Sequence, residues 1–240
     1  MQYVGGKEKS GGAQIAKLIN AVIKRDSLTS YCEPFVGGLS VLRRIQCPQR
    51  VAQDACEALI TLYHKIQGGW EPPRELSREQ WESYRTTQDP SDPMTAFAGF
   101  GCSTFGSWFQ AYVKRYKYTD RYVSGAEAAA NSLARKMKTC MDVTFASGDY
   151  RTAPEADITY CDPPYRGTLG YGAVPEWDPD AFWDWARARP GLLAVSEMQA
   201  PEDFTPALSL NVQHRIATGS GKRRQEFLWV PKSQKERWGA

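Results

Sequence analysis

The hydrophobic positions of the chain follow two patterns, one typical of helices and one typical of buried strands. In the first pattern, apolar residues recur three and four positions apart and therefore share one face of a helix. The N-terminal example consists of Ile15, Leu18, Ile19, Val22 and Ile23. In the second pattern, short apolar runs end at glycine, proline or acidic residues, which is typical of strands buried on both faces. Together the two patterns predict an α/β fold.

The predicted strands and helices alternate along most of the chain. Strands are predicted from Tyr31 and at 50–54, 143–146, 158–161 and 192–196, and helices up to about Arg44 and at 55–67 and 178–189. Residues 211–218 and 226–230 predict a closing antiparallel pair. Strands that alternate with helices are typical of a doubly wound sheet with parallel strands.

Residues 68–141 interrupt this alternation. Glycine and proline residues break the chain at 68–73 and 89–93, and Ser77 with Gln80 predicts a capping box at the start of a helix. The alanine-rich stretch 126–138 predicts another helix. We therefore predict a helical insertion at 68–141 between the two parts of a sheet domain, 1–67 and 142–240.

Composition places the chain among ordinary globular proteins. Of its 240 residues, 42% are hydrophobic and 24% are charged. No run approaches the roughly 18 apolar residues of a membrane span, and the N-terminus lacks an apolar signal core, so secretion is not expected. The six cysteines form no CxxC pair and only two histidines occur, which argues against a structural metal site or a disulfide framework. The net charge of +3 is too small to indicate a nucleic-acid partner by itself.

The strand at 158–161 ends in residues that suggest chemistry. Asp162 follows the strand, Pro163 and Pro164 stop it, and Tyr165 adds an aromatic ring. Proline lacks a backbone N–H and forces the preceding residue into extended geometry. The Asp162 carboxylate and the Pro163 carbonyl would then be two rigid acceptors, which suit a planar amino group, and Tyr165 could stack on a heterocycle. The same residues also fit a turn that only ends the strand.

A glycine turn follows the first predicted strand at residues 33–38, Glu-Pro-Phe-Val-Gly-Gly. Such a turn brings backbone amides to a nucleotide-like cofactor. Asp54 ends the next strand about 20 residues later, where an acid is placed to bind ribose hydroxyls. Asp149 follows another strand and could accept from an adenine amine, and Lys7 follows two glycines and could reach an anionic group. Each of these features alone also fits an ordinary turn.

Basic and aromatic residues interleave between positions 112 and 122. Lys114, Arg115, Lys117 and Arg121 alternate with tyrosines there, and such a mixture can contact phosphates while stacking on bases. Arg223 belongs to a second basic cluster in a predicted turn at 221–224. Both stretches also fit a solvated surface.

In this order the motifs resemble the D12 class of DNA adenine-N6 methyltransferases, the family of the Dam-type enzymes. The resemblance rests on residues 3–7 (Tyr-Val-Gly-Gly-Lys), 33–38, Asp54, 148–150 and 162–165 (Asp-Pro-Pro-Tyr). It implies a Rossmann-like, S-adenosylmethionine-dependent methyltransferase sheet with a DNA target-recognition domain at 68–141. It also implies double-stranded DNA as the partner, with restriction–modification as one setting. We expect a monomer or weak dimer in the cytoplasm of a bacterial or phage-infected cell.

The resemblance further implies roles for the residues singled out above. Asp162 and the Pro163 carbonyl would hold the amine of a flipped adenine, with Pro164 fixing the turn and Tyr165 stacking on the base. Cofactor contacts would come from Tyr3, Lys7, Glu33, Pro34, Phe35, Gly37, Asp54, Asp149 and Asp162. DNA contacts would come from Lys114, Arg115, Lys117, Arg121 and Arg223. No metal is expected, because a sulfonium is already a good leaving group.

Two alternatives remain open on the sequence. The same acceptor pair serves any planar amine, so cytosine N4, an RNA adenine or a protein amide could be the substrate; an aspartate at 162, where asparagine is usual for glutamine methylation, argues against the last. The second alternative is an inactive DNA-binding module of the same fold. The presence of Lys7, Asp54, Asp149 and Asp162 argues against it.

Overall fold

The computed structural model describes residues 1, 3, 6–8, 11–118, 121–164, 177–210 and 225–239. The helices in these ranges are α1 (Gly12–Asp26), α2 (Glu57–Gln67), α3 (Arg78–Thr87), α4 (Pro93–Ala96), α5 (Gly125–Met137), α6 (Pro179–Ala188) and α7 (Lys235–Trp238). The strands are β1 (Ser30–Glu33), β2 (Gln49–Asp54), β3 (Arg115–Tyr118), β4 (Arg121–Ser124), β5 (Thr144–Ser147), β6 (Ile158–Cys161), β7 (Leu192–Glu197), β8 (Phe204–Leu210) and β9 (Glu226–Pro231).

Seven strands form one sheet in the order β5-β2-β1-β6-β7-β9-β8. The first five pair in parallel, and β9 runs antiparallel between β7 and β8. The prediction of an α/β fold with parallel strands is thereby confirmed. The strand order reverses between β1 and β6, and open α/β sheets bind ligands at such a point, outside the carboxyl ends of the strands. The functional site is therefore expected beyond the ends of β1, β2, β6 and β7.

The apolar face predicted for the first helix is buried in α1. Ile15, Ile19, Val22 and Ile23 are buried, and the partly buried Leu18 packs against the same core. The helix predicted after the glycine turn is much shorter than expected, a single 3-10 turn at Leu42–Arg44. Leu39 has a φ of 61°, a left-handed conformation that cannot continue a right-handed helix.

The segment 68–141 packs against the sheet domain through a shared hydrophobic core. Trp81 of α3, Phe97 and Phe100 after α4, and Leu133 of α5 are buried in the same cluster as Ile19 of α1. The segment also contains an antiparallel hairpin, β3 with β4, in the basic and aromatic stretch for which no strands were predicted. The division into two domains remains a prediction.

The strand that pairs with β9 precedes the segment predicted for this role. That strand is β8, whose register runs from Phe204 opposite Pro231 to Leu210 opposite Glu226. Pro206 lies inside β8, and proline is normally confined to edge strands and bulges. β8 is the edge strand, and its register shifts between Pro206 and Leu208. Residues 211–218 lie outside the described residues.

Two further structural facts bear on the sequence expectations. All six cysteines fall within the described ranges, and they are free and buried. Among the described residues, no helix combines the length and the apolar character that crossing a membrane requires.

Replacing Ser77 with alanine should lower the free energy of unfolding by about 1 kcal/mol. The predicted capping box is confirmed: Ser77 Oγ accepts from the Gln80 backbone N–H at 3.1 Å, and the Gln80 side chain accepts from the Ser77 N–H at 2.9 Å. Urea unfolding measures the loss. Ser83→Ala, at an exposed interior position of α3, is the matched control and should change stability by less than about 0.5 kcal/mol. Equal losses in the two variants would contradict the capping role.

Candidate active site

Asp162 projects from the centre of the sheet at the point where the strand order reverses. All four residues of β6 are buried between β1 and β7. Asp162 follows them, and Pro163 is buried while Asp162 and Pro164 are half-buried. The rigid Pro-Pro step fixes the direction of the chain here because proline restricts its own φ and the residue before it. Tyr165 lies outside the described residues.

The side chain of Lys7 bridges two carboxylates at this point. Its Nζ donates to Asp162 Oδ1 at 2.6 Å and lies 3.1 Å from Glu226 Oε1. Lys7 is 2% exposed and Glu226 is 1% exposed. Burial acts to lower the pKa of Lys7, but the charges and hydrogen bonds of Asp162 and Glu226 outweigh it, so the pKa lies above its ordinary value. The ammonium is therefore held in its charged form between the two acids.

The Asp54 carboxylate holds the glycine turn that follows β1. Its Oδ2 accepts from the Gly37 N–H at 2.9 Å and its Oδ1 from the Cys56 N–H at 3.0 Å. Burial raises the pKa of Asp54, although the two backbone donors oppose the shift. Gly37 has a φ of 41°, and Tyr63 donates to its carbonyl at 2.6 Å. Asp54 thus shapes the loop predicted to hold the cofactor, and its contact with a ribose remains a prediction.

The ring of Tyr3 lies directly on this turn. A Cβ atom at Gly37 would come within 2.9 Å of Tyr3 Cε1, and one at Gly38 within 2.6 Å of Tyr3 Cβ. Both glycines are therefore required for the close approach. Tyr3 and Gly37, which the sequence singled out separately, are in contact.

Lys136 of α5 also contacts this turn. Its Nζ donates to the Gly38 carbonyl at 2.6 Å and to the Met1 carbonyl at 3.2 Å. Burial lowers the pKa of Lys136 to about 8, although the charge of Glu8 opposes the shift. The contact joins the 68–141 segment to the predicted cofactor loop. Nothing in the local sequence of an alanine-rich helix signals this role.

Glu33, the last residue of β1, and Pro34 are buried, and Phe35 is half-buried. Glu33 Oε2 accepts from the Tyr31 hydroxyl at 2.7 Å. Burial raises the pKa of Glu33 well above its ordinary value, and the Tyr31 hydrogen bond only partly opposes this. The Phe35 ring stacks on Tyr150 with centroids 5.4 Å apart and meets Trp177 edge-on at 5.7 Å. Glu33 is therefore hydrogen-bonded within β1, its contact with a cofactor remains a prediction, and Phe35 packs among aromatic rings with Tyr150 and Trp177.

Asp149 follows β5 and is partly exposed. It caps the 3-10 turn Tyr150–Thr152, and its two carboxylate oxygens accept from Arg151 Nε at 2.6 Å and the Arg151 terminal nitrogen at 3.0 Å. The hydrogen bonds from Arg151 lower the pKa of Asp149 below its ordinary value. Its contact with the adenine of a cofactor remains a prediction.

Four of the basic residues predicted to contact DNA lie on or directly before the β3–β4 hairpin. Lys114, Arg115, Lys117 and Arg121 are exposed. Lys117 lies opposite Tyr122, which is 67% exposed, and Arg121 forms an ion pair with Glu127 at 3.4 Å. The hairpin thus presents basic side chains beside an exposed aromatic ring. Arg223 lies outside the described residues.

A cavity of about 400 Å³ opens beside Pro163. Its wall includes Trp177, Phe182, Trp183, Glu197 and Gln225. Burial raises the pKa of Glu197 to about 7, with the nearby charges of Asp162 and Glu226 adding to the shift. Sequence reasoning missed Glu197 and Glu226. The available signal was an acid at a terminus of an apolar strand: Glu197 is the last residue of β7 and Glu226 the first residue of β9.

The sheet and the site are consistent with a methyltransferase fold: seven mostly parallel strands, a glycine turn after the first, and an acid after the fourth strand of the sheet along the chain. Residues 3–89 match the family model of the D12 class N6 adenine-specific DNA methyltransferases. No curated protein matches the chain. The family match confirms the resemblance over the matched residues and supports an enzyme that methylates adenine in DNA. It also implies S-adenosylmethionine as the methyl donor.

Proposed function

We propose that the protein transfers a methyl group from S-adenosylmethionine to N6 of adenine in double-stranded DNA, after flipping the base out of the duplex. The proposal depends above all on one observation: Asp162 lies where the strand order reverses and is held at 2.6 Å by Lys7. The family match over residues 3–89 supplies the reaction class. The Asp-Pro-Pro step at 162–164 lies beyond the matched residues and independently supports the same reaction class.

The residues around the glycine turn fit the proposed cofactor. Gly37 and Gly38 let the ring of Tyr3 lie against the turn, and Tyr3, Phe35, Asp54 and Asp149 would line the cofactor site. Lys7, Asp162 and Glu226 are one basic and two acidic residues, so together they carry a net negative charge. This charge favours a cationic methyl donor over an anionic one. S-adenosylmethionine supplies an activated methyl group on a positively charged sulfur.

Asp162 and Pro163 would orient the amine of the target base. The N6 lone pair of adenine is delocalised into the ring, which makes it a poor nucleophile. Hydrogen bonds from the two N–H groups to the Asp162 carboxylate and the Pro163 carbonyl favour a pyramidal nitrogen whose lone pair points away from them. Lys7 fixes the position of the carboxylate before the base arrives. Catalysis would then consist mainly of positioning and electrostatics.

The 68–141 segment would contact the DNA as the target-recognition domain. Lys114, Arg115, Lys117 and Arg121 would contact phosphates, and Arg223 would add a further contact. Phosphate contacts make affinity depend on salt. We further propose that the protein works as a monomer or weak dimer in the cytoplasm.

Methylation of plasmid DNA by the purified protein tests the proposal. Mass spectrometry of the nucleosides should detect N6-methyladenine, and only when S-adenosylmethionine is present. N4-methylcytosine instead, or transfer to RNA alone, would favour the alternative substrates. DNA binding without any transfer, together with no calorimetric binding of S-adenosylmethionine, would favour the inactive module. Mapping the methylated positions would then give the recognised sequence.

A further inference from the structure

Methylation of an amine releases a proton that some group must accept. As the N–C bond forms, the C–S bond breaks and its electron pair stays on sulfur. The nitrogen then carries a positive charge, which it loses by giving up one of its N–H protons. The neutral products are a thioether and a methylated amine, so one base is needed for each turnover. Three acids of the described residues lie near the proposed amine position: Asp162 and Glu226, which Lys7 bridges, and Glu197.

Asp162 is poorly suited to keep the proton. Its Oδ1 already accepts from Lys7 at 2.6 Å, and Lys7 is buried and shared with Glu226. Protonation of Asp162 would remove the negative charge that Lys7 Nζ faces at 2.6 Å, and losing one charge of a partly buried ion pair costs free energy. Asp162 is better suited to hold the amine than to take its proton.

Glu197 lies beside the position at which Pro163 would hold the amine. β7 pairs with β6 in parallel, with Val195 opposite Cys161. Continuing this register by two residues brings Glu197 opposite Pro163. Both residues also line the cavity of about 400 Å³ at the end of these strands. We propose that, once the nitrogen becomes positively charged, the proton held at the Pro163 carbonyl passes to Glu197, directly or through a water molecule in this cavity. The inference rests on the proposed function.

The surroundings of Glu197 favour a carboxylate that can take a proton near neutral pH. Its Oε1 accepts from the Met198 N–H at 2.8 Å. The charged groups that face it are Asp162 after β6, Glu226 of β9 and Lys7 of the N-terminal segment. Burial and the two acids raise the pKa of Glu197 to about 7, against the effect of Lys7 and of the Met198 N–H. Glu197 is therefore largely ionised at pH 8 and largely protonated at pH 6.

Single-turnover methylation by Glu197→Gln tests the inference. With wild-type protein, the rate should rise with pH and level off above a midpoint near 7, because the ionised carboxylate is the active form. Glu197→Gln should be slower by about 10²-fold or more at pH 8, which is typical for the loss of a general base, and its rate should not rise between pH 6 and 8. Affinity for S-adenosylmethionine, measured by calorimetry, should be unchanged.

The controls separate this inference from a general loss of structure. Glu202→Gln, at an exposed position after β7, should behave as wild type. Glu197→Asp keeps a carboxylate and should retain a pH-dependent rate that is higher than that of Glu197→Gln. A wild-type rate and pH profile in Glu197→Gln would overturn the inference, as would equally slow and pH-independent Gln and Asp variants. Absence of methylation by the wild type would instead refute the proposed function itself.

Discussion

Replacing Asp162 with alanine should abolish methyl transfer while the protein still folds. The carboxylate is one of two acceptors proposed for the target amine, and its negative charge stabilises the positive charge that develops on the nitrogen. Loss of one such preorganised group lowers the rate by roughly 10²- to 10³-fold in other enzymes, and here the orientation of the amine is lost as well. Tritiated methyl transfer to DNA, measured over hours, would quantify any residual activity.

The fold should survive this change because Lys7 keeps a second acidic partner. Its Nζ lies 3.1 Å from Glu226 Oε1, so the ammonium is not left unpaired when Asp162 is removed. Asp162 is also only half-buried, which limits the packing that alanine loses. Thermal unfolding should therefore show a shift of a few degrees, and calorimetry should still detect binding of DNA.

Asp184→Ala is the matched control for this experiment. Asp184 lies on α6 with its side chain 80% exposed and forms an ion pair with Arg187. Exposed ion pairs contribute little to stability, so this variant should fold and methylate as wild type. Full activity of Asp162→Ala under the same conditions would contradict the catalytic role and, with it, the proposed mechanism.

Several site residues were predictable because parallel strands end at one edge of a sheet. Asp54 ends β2 and Asp162 follows β6, and the carboxyl ends of such strands converge once the sheet forms. The same reasoning predicted the glycine turn at Gly37. Local sequence was sufficient here because each signal consists of a strand and the residues directly after it.

The partners of these residues depend on contacts between distant parts of the chain. Glu226 reaches Lys7 only because β9 inserts between β7 and β8, an order that the apolar pattern does not specify. Lys136 reaches the Gly38 carbonyl because α5 packs against the sheet domain. β8 was missed because Pro206 argues against a strand until its edge position is known.

Replacing Lys7 with methionine should have the largest effect on stability. Methionine has a similar length but no charge, so Asp162 and the fully buried Glu226 would face each other without the cation between them. Breaking a buried ion pair by removing one partner typically costs about 3–5 kcal/mol. Urea unfolding at pH 7.5 measures this loss, and methyl transfer should fall with it because Asp162 is no longer held in place. Lys17→Met, at an exposed position of α1, should change stability by less than about 0.5 kcal/mol.

A second substitution shows whether the loss comes from the unpaired acids. Glu226→Gln removes one of the two acids and leaves the 2.6 Å pair of Lys7 with Asp162 intact, so it should cost less than Lys7→Met. The double variant combines Lys7→Met with Glu226→Gln. In it, glutamine replaces an acid that would otherwise be buried without its cation. The double variant should therefore lose less free energy of unfolding than the two single variants lose together. For residues in direct contact the difference should be about 0.5–3 kcal/mol. Strictly additive losses would mean that Lys7 stabilises the protein by packing alone, and that the bridge between Asp162 and Glu226 has no part in holding the catalytic acid.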